Sequence, residues 1–103
     1  MLKKYTIVII EDDPLVNESV KSSLIDKYQR IETFTDPAEA LNQLHRLAPD
    51  LIVLDIFLGY ANGLDILEQL RKQGYNMPVI IMTAFSDIKM AVRAMKLGAE
   101  DFL

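Results

Sequence analysis

The sequence predicts an α/β fold: a parallel sheet with helices packed on both faces. Three observations predict it. Short apolar stretches rich in β-branched residues alternate with segments of helical spacing, four times over. Two of the stretches, Ile7 to Ile10 and Leu51 to Leu54, are apolar throughout, as strands buried on both faces require. The helical segments also carry their own start or stop signals.

The strands are expected at Tyr5 to Ile10, Ile31 to Thr35, Leu51 to Leu54 and Val79 to Met82. Asp13-Pro14 opens the first helix, with a capping residue before proline at the first helical position. Val16, Val20 and Leu24 then line its inner face. Asp36-Pro37 repeats the signal, and Glu39 completes a capping box. Leu41, Leu44 and Ala48 give the second helix its inner face. Leu64, Leu67 and Leu70 mark a third helix, closed by Gly74. Ser86 caps a fourth, with Ile88, Ala91, Val92 and Met95 inward, and Gly98 ends it.

Composition narrows the function. The chain has 103 residues, enough for one domain, and half of them are apolar. A net charge of −4 argues against nucleic-acid contact from this segment. No cysteine is present, which excludes disulfides and thiolate metal sites. No apolar run approaches the roughly 20 residues of a membrane span. Met1-Leu2-Lys3-Lys4 runs straight into a strand rather than a signal peptide, so a cytoplasmic setting is expected.

In sheets of this kind ligands bind beyond the carboxyl ends of the strands. The first strand ends in Glu11-Asp12-Asp13, the third in Asp55 and the fourth in Thr83-Ala84. If the first and third strands are neighbours, their carboxylates converge. Such a cluster raises its own pKa values or needs a cation, and Mg²⁺ suits an all-oxygen donor set. Asp55 is then free to act as an oxygen nucleophile on a phosphoryl group. From its own segment, "LIVLDIFLGYANG", a mere turn residue is equally open. Asp13 reads better as a helix cap than as a ligand, because Pro14 follows it. His45 reads as a surface residue of the second helix, and Met77, Met82, Met90 and Met95 as core or partner-surface fillers. The first strand-to-helix turn lacks glycine, so there is no dinucleotide fingerprint and no Walker loop. The haloacid-dehalogenase pattern is also missing, since Phe57 stands where its second aspartate would be.

"IVIIEDDP", "LIVLDIFLGYANG" and "MTAFSDIKMAVRAMKLGAEDFL" together resemble the receiver domain of two-component response regulators, over Thr6 to Leu103. The specific combination is an acidic pair ending strand one, an aspartate ending strand three with glycine eight residues on, and threonine-alanine ending strand four. The resemblance implies a flavodoxin-like doubly wound sheet in the order 2-1-3-4-5, forming one receiver domain over residues 1–103. It implies phosphoryl transfer from a sensor histidine kinase to Asp55, with Mg²⁺ as cofactor. Asp12 corresponds to the direct metal ligand, Glu11 to one acting through water, and the backbone carbonyl of Phe57 to a third. Thr83 corresponds to the switch hydroxyl and Phe102 to the switch aromatic. Gly59 replaces the family's usual proline, which implies a less stiff loop, and Asn62-Gly63 keeps the turn at its far end. Phe57 and Phe85 flank the path of a hydrolytic water, which implies slow self-dephosphorylation.

"DFL" opens the fifth strand in the family, followed by a lysine and a helix, so the chain is expected to be a C-terminally truncated receiver. A homodimer through the helix 4/strand 5 side is expected on the same ground, with DNA-binding or ATPase output domains elsewhere. Such a switch turns over only its own phosphoryl group and is not a conventional enzyme. Two alternatives are a receiver-like module that binds partners without phosphorylation, and a small metal-dependent phosphatase.

Overall fold

The structure is a computed structural model that describes residues 3–59, 61–82, 93, 95–99 and 101–102. In chain order the elements are β1 (Lys3–Ile10), α1 (Pro14–Leu24), β2 (Tyr28–Phe34), α2 (Pro37–Leu47), β3 (Leu51–Asp55), β4 (Phe57–Leu58), β5 (Ala61–Asn62), α3 (Gly63–Lys72), β6 (Val79–Met82) and β7 (Asp101–Phe102). Five strands form one parallel sheet in the order β2-β1-β3-β6-β7. With β6 and β7 as its fourth and fifth strands, this is the expected 2-1-3-4-5 order. The short antiparallel ribbon of β4 and β5 has no counterpart in the sequence reading.

Successive residues of a strand point to opposite faces, and both faces here are buried. Val8, Ile10, Ile52, Leu54 and Ile81 pack with Leu44 and Leu47 of α2 and Leu64, Leu67 and Leu70 of α3. Ile7, Ile9 and Val53 face the other way, against Val20 and Leu24 of α1. Removing these side chains from water supplies the main driving force for the fold, about 25 cal/mol per Å² of apolar surface.

The start signals act as expected. The carboxylate of Asp13 accepts from the Leu15 N–H at 2.9 Å, and that of Asp36 from the Ala38 N–H at 3.0 Å. Asn62-Gly63 differs from expectation. It starts a helix rather than ending a turn: the Asn62 side chain accepts from the Leu64 N–H at 2.8 Å and caps α3.

Helix phase departs from expectation in two places. On α1 the buried residue is Asn17, while Val16 is 37 % exposed. The inward row runs 17, 20, 24, one residue out of step with a row begun at Val16. On α2 the buried row is Ala40, Leu44 and Leu47; Leu41 is half-buried. Ala48 has left the helix, with φ at 45°, and is exposed. The leucine row of α3 is buried as expected, and Gly74 beyond its end takes φ +89°. β2 begins earlier than expected, at Tyr28, and stops at Phe34.

Of the fourth expected helix, Ser86, Ile88, Ala91 and Val92 lie outside the described residues. Met95, expected inward, is half exposed. This segment is tied to α3. Arg71 donates to the carbonyls of Tyr75 (3.0 Å), Met77 (2.9 Å) and Gly98 (2.7 Å), and Arg93 pairs with Asp65 at 3.1 Å. His45 is exposed, as expected.

Candidate functional site

The sheet register builds the site. Ile10 of β1 stands opposite Leu54 of β3, so the next residue on each strand, Glu11 and Asp55, emerges at the same level. Asp12 follows at the turn into α1. Carboxylate oxygens of Glu11, Asp12 and Asp55 lie within 4.8 Å of one another. Asp13 stands apart, its carboxylate committed to the cap of α1.

The three carboxylates differ in environment. Asp12 is exposed, Asp55 half-buried and Glu11 only 4 % exposed. Burial pushes the Glu11 carboxyl up to about 8. A hydrogen bond with Asp55, the negative charge of Asp55 and contact with Asp12 add to the rise, while the Asp13 N–H, donating to Glu11 Oε1 at 3.1 Å, opposes it. Burial and the neighbouring Asp55 thus favour a Glu11 carboxyl that keeps its proton. A divalent cation placed here would relieve the repulsion that this proton now relieves. The donor set is all oxygen and rich in charge, which fits a hard cation such as Mg²⁺.

Backbone contacts fix the positions of the acids. The Glu11 N–H donates to Phe34 O at 3.0 Å, tying the tip of β1 to the tip of β2. Behind Asp55, the Gly63 N–H donates to Ile56 O at 2.7 Å. A Cβ on Gly63 would overlap the Asp55 carbonyl oxygen and come within 2.9 Å of Ile56 Cα. The glycine eight residues after the aspartate is thus a packing requirement: the first turn of α3 lies directly on the backbone that carries Asp55. Gly59 takes φ +67°, which proline cannot adopt, and a Cβ there would meet Asp12 Oδ2 at 3.6 Å.

The match to known proteins covers nearly all of these elements. Residues 7–103 fit the family model of the response regulator receiver domain. The chain belongs to the response regulator receiver domain family. The response regulator MprA of Mycobacterium leprae is 34 % identical over 97 residues, which cover 94 % of this chain and 42 % of that protein. The receiver thus spans less than half the length of the curated relatives it matches. Among solved structures, the receiver domain of the Francisella response regulator 1452 superposes with a TM-score of 0.89 at 28 % identity, covering 97 % of this chain and 83 % of that one. A BeF3-activated DrrB receiver domain superposes at 0.85 and 25 % identity, covering 98 % and 84 %.

Of the site residues expected from sequence, this receiver brings Glu11, Asp12 and Asp55 together. Phe57 lies two residues beyond Asp55 in β4, its side chain half exposed. Phe102 lies in β7, paired in register with Ile81. Thr83 and Phe85 lie outside the described residues; Met82, which precedes Thr83, is the register partner of Asp55. Sequence reasoning missed Asn17, whose amide touches the acid-bearing backbone. No sequence signal singled it out, because Val16 and Asn17 lie four and three residues before Val20 and both fall on its side of the helix. No described helix is long and apolar enough to cross a membrane.

Proposed function

We propose that this receiver domain is a phosphorylation-controlled switch in which Asp55 takes a phosphoryl group from a sensor histidine kinase. One observation carries the reading: Asp55 projects from the end of a central parallel strand into contact range of Glu11 and Asp12. A carboxylate oxygen of Asp55 attacks phosphorus, the new O–P bond forms, and the P–N bond to the donor imidazole breaks, with its electron pair leaving on the nitrogen.

Asp12, Asp55 and the Phe57 carbonyl would hold Mg²⁺, with Glu11 acting through water. The bound ion supplies positive charge that offsets both the carboxylates and the incoming phosphoryl oxygens. Gly63 holds the Asp55 backbone still, so that the nucleophile is presented at a fixed height above the sheet. Thr83 is assigned as the hydroxyl that bonds a phosphoryl oxygen, and Phe102 as the aromatic residue that responds. Both assignments rest on the family pattern. The phosphoryl group leaves by slow hydrolysis, since Phe57 offers no group to orient a water. Leu15, 80 % exposed on the first turn of α1, and Phe57 offer apolar surface beside the crevice for the kinase.

The BeF3-activated DrrB neighbour supports the choice of probe. Adding beryllofluoride with Mg²⁺ should shift amide resonances at the ends of β1 and β3 and into the β6–β7 crossover, and Asp55→Ala should abolish the response. A wild-type spectrum that does not change would favour a binding module that takes no phosphate.

A further inference from the structure

Asn17 is a polar residue in an apolar place. It is 3 % exposed, on the face of α1 that otherwise presents Val20 and Leu24 to the sheet. Its Nδ2 donates to Glu11 O at 2.6 Å and to Phe34 O at 3.2 Å. Phe34 O also accepts the Glu11 N–H. Both amide hydrogens are therefore directed at the tips of β1 and β2, and both polar groups of the Glu11 peptide unit region, its N–H and its C=O, are held. The orientation of the amide follows from its partners, because the opposite one would set an oxygen against two carbonyl oxygens.

Asn17 Oδ1 is buried and has no hydrogen-bond partner among the described residues. An unpaired buried acceptor destabilises a fold, and leucine, of similar size, would avoid that cost. Leucine would, however, leave the buried Glu11 carbonyl without its donor, so what asparagine supplies here is the pair of bonds to the strand tips. The donors it supplies are aimed at the backbone from which Glu11 and Asp12 project.

We infer that Asn17 is a positioning residue for the metal site: it clamps the peptide that carries Glu11 and Asp12, and so sets how tightly the acidic crevice binds Mg²⁺. This rests on the reading of the crevice as a Mg²⁺ site. With the clamp removed, the tip of β1 keeps its N–H bond to Phe34 but its carbonyl is free to turn. The carboxylates then sample wider separations, and the cation must order them on binding.

The test compares wild type with Asn17→Leu and Asn17→Ser. Mg²⁺ affinity is titrated on folded protein by amide chemical shifts, and metal-free stability is measured by urea denaturation with chelator. Asn17→Leu should weaken Mg²⁺ binding about tenfold, the low end of what loss of an outer-shell partner does. Its metal-free midpoint should fall, because the buried Glu11 carbonyl loses its donor, so affinity is compared only on folded protein. Amide exchange at Asp12, whose N–H belongs to the clamped peptide, should quicken in the same metal-free protein. Asn17→Ser, which keeps one donor, should recover part of the affinity; if the leucine variant does not fold, the serine variant against wild type decides. Wild-type affinity in folded variants, or affinity lost only in step with folded protein, would overturn the positioning role. A wild-type protein that binds no Mg²⁺ would instead overturn the reading of the crevice, and the role with it.

Discussion

Raising the pH from 7 to 9 should tighten Mg²⁺ binding about tenfold, because the cation has to expel a proton. Burial first, then the hydrogen bond and charge of Asp55, push Glu11 up to about 8. A dication among the carboxylates favours the charged form of each, so binding and protonation compete. For one competing proton the apparent Kd is multiplied by 1 + 10^(pKa − pH). That factor is about 11 at pH 7 and about 1.1 at pH 9. About 0.9 proton should be released per Mg²⁺ at pH 7 and about 0.1 at pH 9. Metal-free stability runs the opposite way with pH. Without metal, the folded chain holds a proton between pH 4.5 and about 8 that the unfolded chain has lost. Stability should therefore be fullest below pH 4.5 as far as this group is concerned, and decline as pH rises through the window, by roughly 5 kcal/mol at most. Isothermal titration in two buffers of different ionisation heat counts the protons directly. Glu11→Gln cannot titrate and should abolish the release. A pH-independent Kd in wild type, or unchanged proton release in Glu11→Gln, would refute the reasoning.

Three further outcomes are expected. Gly63→Ala should cost roughly 3 kcal/mol or more in urea unfolding, because its Cβ meets backbone of Asp55 and Ile56 rather than a yielding side chain; a loss under about 0.5 kcal/mol would mean that the helix start shifts freely. Arg71→Ala should cost roughly 2 kcal/mol by freeing three carbonyls, whereas Arg30→Ala, which breaks an exposed pair with Glu32, should cost under about 0.5 kcal/mol. Equal losses in the two arginine variants would show the Arg71 bonds to be worth no more than a surface ion pair. Leu15→Glu should leave stability within about 0.5 kcal/mol and slow phosphoryl transfer from the kinase while sparing transfer from acetyl phosphate; equal slowing with both donors would place the effect in the chemistry instead of the docking.

The central strands, the helix starts and the acidic residues at the strand ends were legible because each depends on short-range signals, whereas the sheet order came from the resemblance to the receiver family. Buried central strands need apolar residues throughout, and helix starts need capping side chains, so β1, β3, Asp13 and Asp36 stand out in the chain. The convergence of Glu11, Asp12 and Asp55 then follows from strand adjacency alone. What stayed hidden depends on phase and backbone angle. A helix row shifted by one residue exchanges Val16 for Asn17, and no single position announces which row faces inward. The same holds for α2, where Ala48 looks like a continuation of the leucine row but adopts a left-handed cap. Asn62-Gly63 carries a turn signature, yet it caps α3, since asparagine serves both purposes through the same side-chain bond to a backbone N–H. The spacing of Gly63 from Asp55 is visible in the sequence, whereas the approach of α3 to the aspartate's own carbonyl is a property of the folded chain.

The central claim is that Asp55 is the phosphoacceptor of this receiver. Incubation with acetyl phosphate and Mg²⁺, followed by intact-mass and peptide mass spectrometry, tests it most directly. The account predicts the addition of one phosphoryl group, mapped to the peptide containing Asp55, labile to hydroxylamine, dependent on Mg²⁺ and absent from Asp55→Asn. A full phosphoryl mass on Asp55→Asn, or none on wild type under conditions where Mg²⁺ binding is demonstrated, would contradict it.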